Sequence, residues 1–454
     1  MKEKLHGKET LFIATMLFGM FFGAGNLIFP VYMGQLAGRN VWPAIIGFII
    51  TGVGMPLLGV AAQGISRANG LMDMSSRVSR GYGYFFTCAL YLTIGPCFAI
   101  PRCATVPFTV GVEPLLGGQD ARLWLALFSF LFFASVLGFS LWPGKILTWV
   151  GKILTPVFLI FLGILVIQAL IRPMGSIAEI PPTAAYQDKA FFTGFLEGYN
   201  TMDTLASLAF GIVVIDVIRG LGVEKPEAVA ANTVKAGIFS CLIMALIYLA
   251  VTLVGTQSRG LYEACNNGGE VLALIAHHYF GKAGSIILII TVTLACLKTA
   301  VGLITSCSET FSAMFPRGPR YRVWAVIFCI VSFLIANLGL TSIIAYAVPV
   351  LMFLYPLAIT LILLSLFGKW FSYDRKVYAW TTGFTLVAAV FDLIKALAST
   401  LPTAVVEKLH LTVVVDAADK VLPFFDLGLG WILPAAVGAA IGLVLHAVSR
   451  RKQR

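Results

Sequence analysis

Residues 21–30 read Phe21-Phe22-Gly23-Ala24-Gly25-Asn26-Leu27-Ile28-Phe29-Pro30, and they lie inside an apolar run long enough to cross a bilayer. Two glycines, an Asn and a Pro in so short a stretch make a poor continuous helix: glycine has most conformational freedom to lose, and proline removes a backbone donor. Unwinding is expected at residues 23–26. Backbone groups freed at that depth find no partner in lipid, so they must face protein or a hydrated cavity. A second half-helix restarting with Asn26 as N-cap and Pro30 near its first turn would turn its amides and positive dipole end toward the break. That arrangement suits a carboxylate.

A second apolar run carries a comparable interruption, Phe195-Leu196-Glu197-Gly198-Tyr199-Asn200-Thr201-Met202-Asp203-Thr204, the most polar mid-run stretch in the chain. Asn200 and Asp203 have the spacing of a capping pair at a restarted helix. Asp203 reads equally as a cap or as a ligand. Glu197, ahead of the break, reads as a functional carboxylate, since a charge near the membrane centre costs about 2.5 to 3.5 kcal/mol on insertion scales.

Working outward, 59 % of the 454 residues are apolar and 12 % charged, which excludes a water-soluble core-and-surface protein. Apolar runs fall at 10–33, 41–65, 82–109, 122–141, 146–171, 190–215, 232–256, 283–312, 321–338, 341–367, 377–399 and 425–448. The expectation is an all-α integral membrane protein of twelve transmembrane helices, one domain over 1–454, with spans 1 and 6 interrupted. Between spans 7 and 8, Val271, Leu272, Leu274, Ile275 and Ala276 share a helical face and predict a short re-entrant or interfacial helix.

The net charge of +11 is distributed by side. When residues at span ends are assigned to the side they adjoin, 21 Lys and Arg lie with the termini and 9 opposite, leaving Arg102 and Lys298 within spans. By the positive-inside rule both termini are cytoplasmic, in a multi-pass protein of the cell membrane. The basic tail 450–454 reads as a membrane-surface anchor, so no nucleic acid is implied, and no protein partner either. The eight cysteines form no CxxC, and the five histidines fall in tails, loops or a span end. No metal is expected beyond a sodium ion, no cofactor, and no enzyme, because neither a nucleophile with its base nor a paired acid set occurs.

Breaks in spans 1 and 6, five apart, occupy corresponding positions of two halves, the pattern that marks a transporter's binding site. A channel would need a continuous polar pore, whereas the polar residues here gather at two helix breaks.

Gly23-Ala24-Gly25-Asn26-Leu27-Ile28-Phe29-Pro30, Gly95-Pro96-Cys97-Phe98-Ala99-Ile100-Pro101-Arg102, Glu197-Gly198-Tyr199-Asn200-Thr201-Met202-Asp203 and Leu294-Ala295-Cys296-Leu297-Lys298-Thr299-Ala300-Val301-Gly302-Leu303 together resemble the bacterial branched-chain amino acid:cation symporter family, within the amino acid/polyamine/cation superfamily. The resemblance covers essentially the whole chain. It implies a LeuT-like five-plus-five inverted repeat, residues 10–171 and 190–367, with two additional helices over 377–448. It further implies a substrate carboxylate near the amides of Ala24, Gly25 and Asn26, and an ammonium facing carbonyls at the interruptions. The substrate set is Gly23, Ala24, Gly25, Asn26, Glu197, Gly198, Tyr199, Asn200 and Asp203.

A coupling-ion site in this fold matches the carbonyls of Gly19 and Phe22 with Ala295, Lys298 and Thr299. One hydroxyl position is occupied by Lys298, which puts a sodium ion at that place in question. The ammonium of Lys298 either replaces a bound cation and exchanges a proton, or forms a structural ion pair. Arg102, in a run with prolines at 96, 101 and 107, reads as a snorkelling side chain that reaches the interface or caps freed carbonyls, ahead of substrate contact; Asp392 and Lys395 read as a local anchor or ion pair. The function expected is cation-coupled secondary uptake of Leu, Ile and Val by alternating access, driven by sodium or protons. The alternative is proton-coupled or cation-independent transport of other neutral amino acids, with Lys298 in place of sodium.

Overall fold

The N-terminal apolar run breaks where its glycines fall. Helix α1, Gly7–Phe21, ends at Phe22, and α2, Gly25–Ala37, follows. The structure, a computed structural model, describes residues 4–23, 25–116, 120–142 and 159–452, so Ala24 and the first half of the expected fifth span lie outside the described residues.

From α2 the chain passes through the 3-10 turn Gly38–Asn40 into α3, Val41–Ile49, then through π-helical Ile50–Gly54 into α4, Met55–Ser66. Helix α5, Arg80–Leu92, meets α6, Ala99–Pro107, across a π-helical stretch in which Gly95 leaves helical geometry before Pro96. Proline at that place cannot donate to the preceding turn, which accounts for the kink. Helix α7 is Ala121–Leu141 and α8 is Leu159–Ile171. The second interrupted run gives α9, Ala190–Glu197, and α10, Asp203–Gly220, bent by 44°. Then come α11, Pro226–Ser258, α12, Gly268–Met314, α13, Tyr321–Ala336, α14, Leu340–Leu366, α15, Arg375–Thr400, and, after short loop helices, α16, Ile432–Lys452.

The expectation of twelve membrane-crossing helices is overturned. Among the described residues eight helices are long and apolar enough to cross, or nine if the bent pair α9 and α10 is one span. Two expected runs, 10–33 and 41–65, are recut: α1 has only 15 residues, while helical geometry continues for 42 residues over Gly25–Ser66. Helix α13, with 16 residues, falls short of the roughly 20 a crossing needs, and α8 has 13 described residues. The all-α membrane class stands; the count fails because a hydropathy run marks apolar length and not where a helix ends. The expected short helix near residue 271 is present: it is the first part of α12, and non-helical Gly281, φ +57°, separates it from the long remainder.

Glycines set how closely the two broken runs approach their neighbours. A Cβ on Gly34 of α2 would lie 2.0 Å from the Thr252 carbonyl oxygen, and one on Gly255 of α11 would lie 2.1 Å from that of Val31. The same reciprocal contact joins α3 and α9, through Gly47 and Gly194. Backbone-to-backbone packing of this kind is how helices associate where lipid competes with apolar side chains. It holds both breaks at one place in the fold.

Candidate functional site

At the second break α9 runs into the 3-10 turn Gly198–Thr201, Met202 takes φ +62°, and α10 restarts at Asp203. A left-handed conformation costs a non-glycine residue about 1 to 2 kcal/mol, so the surrounding packing must hold Met202, which is 2 % exposed. The expected Asn200 and Asp203 capping pair does not form. The Asp203 N–H donates to the Thr201 hydroxyl at 3.3 Å, while the Asn200 amide donates to Glu197 at 2.8 Å.

The first break is tied to the second through side chains. Asn26 is the second residue of α2 and not its N-cap: its Oδ1 accepts from the Gly23 N–H at 2.9 Å, closing the gap backwards. Its Nδ2 donates to Asp203 Oδ2 at 2.5 Å and to the Tyr248 hydroxyl, and that hydroxyl donates to the same carboxylate oxygen at 3.2 Å. All three side chains are buried, so these bonds are what makes their burial tolerable.

Arg102 does not snorkel to the interface. It is 5 % exposed, donates from Nη1 to the Asn200 carbonyl at 2.8 Å, and lays its guanidinium over the Phe29 ring at 5.1 Å. A carbonyl freed by the helix break is thereby satisfied by a charge-assisted bond. The π-helical break before α6 brings the side chain inward.

A cavity of about 70 Å³ lies between the breaks. Gly23, Gly25, Asn26, Asp203 and Thr299, all singled out from sequence, line it. Arg102, Thr201 and Met202 join them, with Ile94, Phe210 and Leu303 as apolar wall. The expected residues outside it have other surroundings. Gly198 lets the turn pack on Thr51, Tyr199 stacks on Tyr355 at 4.0 Å, and Glu197 and Asn200 bond to each other. Of the expected ion set, Thr299 faces Gly23 and donates to the Ala295 carbonyl at 3.1 Å, while Phe22 stacks on Phe18 at 4.8 Å. Gly19 has open space on its side-chain face. Lys298 is half-buried and, among the described residues, makes no hydrogen bond or ion pair.

Sequence reasoning missed Tyr248, which sits in a plain apolar run; it offered Arg102 as a cap of freed carbonyls, which the Asn200 contact matches, but did not place it at the cavity. A larger groove of about 550 Å³ runs between α14, α15 and α16, but its walls carry no charged side chain with which to orient a zwitterion. Among the described residues no group of three His, Cys, Asp or Glu is placed to hold a metal ion.

The model of the family described as "Branched-chain amino acid transport protein" matches residues 6–449. The chain belongs to this family. It is similar to the branched-chain amino acid permease BrnQ of Lactobacillus delbrueckii subsp. lactis, 50 % identical over 453 residues and covering 100 % of both chains. It is 41 % identical to the BrnQ permease of Bacillus subtilis, covering 98 % of each. It is also 40 % identical to the branched-chain amino acid transport system 2 carrier protein of Pseudomonas aeruginosa, covering 97 % of this chain and 96 % of that one. Among solved structures it resembles Mhp1, a nucleobase-cation-symport-1 family transporter, in a closed conformation with bromovinylhydantoin bound, with a TM-score of 0.60 at 14 % identity, over 97 % of this chain and 93 % of that one. That likeness shows the fold alone, of the LeuT-like kind. As a member of a transport protein family, the chain works by moving a solute and not by catalysis.

Proposed function

We propose that the cavity between the two breaks is the transport site of a secondary active carrier for leucine, isoleucine and valine, coupled to a monovalent cation and working by alternating access. Membership of a branched-chain amino acid transport family supports the substrate class. One structural observation carries the site: Asn26 and Asp203, one from each interrupted helix, meet across a hydrogen bond of 2.5 Å beside a small buried cavity.

The chemistry follows from the walls. The Gly25 amide, at the positive end of α2, receives the substrate carboxylate, and Arg102 adds a positive charge across the cavity. Asp203 and the Thr201 carbonyl, which lies toward Gly25, face the ammonium. Ile94, Phe210 and Leu303 receive the side chain, and an apolar pocket separates neighbours differing by one methylene by only about 1 to 3 kcal/mol, so the three branched substrates share it. A space of about 70 Å³ holds a few waters and not a whole amino acid, so entry requires the helices around the breaks to part.

Coupling to one positive charge supplies about 2.3 kcal/mol per 100 mV, roughly a fifty-fold accumulation. Sodium and protons are the candidate ions, and Thr299 is the member of the expected ion set that reaches the cavity. The repeats 10–171 and 190–367, the additional helices 377–448 and cytoplasmic termini complete the proposal; likeness to Mhp1 and the distribution of Lys and Arg support them. Uptake of labelled leucine into proteoliposomes, with sodium and proton gradients imposed separately, tests it. Saturable uptake stimulated by leucine on the opposite side is expected with at least one gradient; flux that neither saturates nor responds to either gradient contradicts it.

A further inference from the structure

Asp392, in the middle of α15, has no role in the cavity, yet it is 3 % exposed and neither carboxylate oxygen has a hydrogen-bond partner among the described residues. An ionised carboxylate left so in a membrane interior costs several kcal/mol. The expected ion pair with Lys395, one turn on, does not form. The Lys395 ammonium instead donates to the Phe425 carbonyl at 2.5 Å and lies 4.6 Å from the centre of that ring.

Two more buried polar groups, the Tyr199 hydroxyl and the Trp431 indole N–H, face each other. Tyr199 lies within electrostatic reach of Asp392 and against Trp431. The charges around this place are few. Lys395 is on the same helix; Asp419, Asp426 and Lys189 surround Lys395 from the loops; Tyr355 of α14 stacks on Tyr199. Asp392 thus stands behind the second break as a buried carboxyl with no bonded partner among the described residues, within electrostatic reach of a hydroxyl carried by the turn.

The donor set decides what can bind. A hard metal cation takes about six oxygens, and here there are two carboxylate oxygens, one phenol and an indole that only donates. A proton needs a single lone pair. We propose that Asp392 is a proton-binding site inside the membrane, behind the turn that carries Tyr199. Loading forms one O–H bond between a carboxylate oxygen and a proton taken from water; emptying breaks that bond and returns the proton to water, and no other atom changes. Tyr199 belongs to the turn Gly198–Thr201 that joins α9 to α10, so the loaded and empty forms favour different settings of that turn. The proton site stands on this geometry alone; only its link to uptake rests on the transport reading.

Infrared difference spectra of the full-length protein in lipid bilayers, recorded between acidic and alkaline medium, test the site. The expected result is a carboxylic acid C=O band in wild type that is absent from Asp392→Asn and displaced in Tyr199→Phe, which keeps the ring stack and loses the hydroxyl. Identical carboxyl bands in wild type and Asp392→Asn overturn the proposal; if Asp392→Asn does not fold, an undisplaced band in Tyr199→Phe does so. Leucine binding measured on the same samples reports on the transport reading separately. Asp392→Asn is expected to bind leucine as wild type does and to lose the pH dependence of uptake, and a pH profile identical to wild type counts against coupling through Asp392.

Discussion

The side-chain amide of Asn26 and the carboxylate of Asp203, 177 residues apart in the chain, are joined by a 2.5 Å hydrogen bond that spans the two broken helices. The Tyr248 hydroxyl bonds to both. Each break exposes backbone that lipid cannot satisfy, and the two are stable together because their side chains satisfy one another. The same bond makes the position of one break depend on the other, as alternating access at a shared site requires.

Asn26→Ala removes the acceptor for the Gly23 N–H and the donor to Asp203 at once. Leaving a buried carboxylate short of a partner costs about 1 to 3 kcal/mol, so leucine affinity should fall at least about fivefold in the purified protein. Titration of labelled leucine checks this; unchanged affinity would reduce Asn26 to a local tie.

Arg102→Gln is expected to abolish most uptake while Glu197→Gln is milder. The guanidinium lines the cavity and holds the Asn200 carbonyl, a charge-assisted bond worth about 1.5 to 3 kcal/mol, whereas Glu197 accepts from the Asn200 side chain away from the cavity. Initial rates of leucine uptake at matched protein levels decide it. Equal losses from both would bring Glu197 into the transport site.

Lys298→Met should retain proton-driven leucine uptake, because Lys298 does not line the cavity and, among the described residues, makes no hydrogen bond or ion pair. Uptake under a proton gradient alone, and under sodium alone, is the measurement. Loss confined to the proton gradient would make the ammonium the exchanging group.

Gly34→Val should fail in folding and not in chemistry. Its Cβ would fall 2.0 Å from the Thr252 carbonyl oxygen of α11, and overpacking typically costs about 1 to 3 kcal/mol even where neighbours can yield. Thermal unfolding in detergent should shift to lower temperature; full stability would mean that α2 and α11 can separate without penalty.

Much of the site was legible because polar residues and glycines stand out against a lipid-facing background. The break expected at residues 23–26 falls between Phe21 and Gly25, and the second falls at Gly198–Thr201. Capping was less legible. Asn26, Asn200 and Thr201 are all capping residue types, and which oxygen meets which N–H depends on a left-handed Met202 that no propensity announces. Of the two ends expected for Arg102, the interface or a freed carbonyl, the structure has the second; which carbonyl was illegible, because Asn200 O is backbone 98 residues away and has no signature in residue type. The number of crossing helices was misread because composition does not register that helical geometry continues through Gly38–Asn40 and Ile50–Gly54.

Equilibrium binding of labelled leucine to full-length wild type and Gly25→Val, both reconstituted and shown to be inserted, tests the transport site most directly. A Cβ at Gly25 lies 3.3 Å from the Phe29 ring and 3.7 Å from the Thr201 carbonyl oxygen, so a β-branched side chain there projects into the space between the two breaks. Wild type should bind leucine in competition with isoleucine and valine, and Gly25→Val should show no binding; unchanged leucine affinity in Gly25→Val would contradict a transport site at the paired breaks.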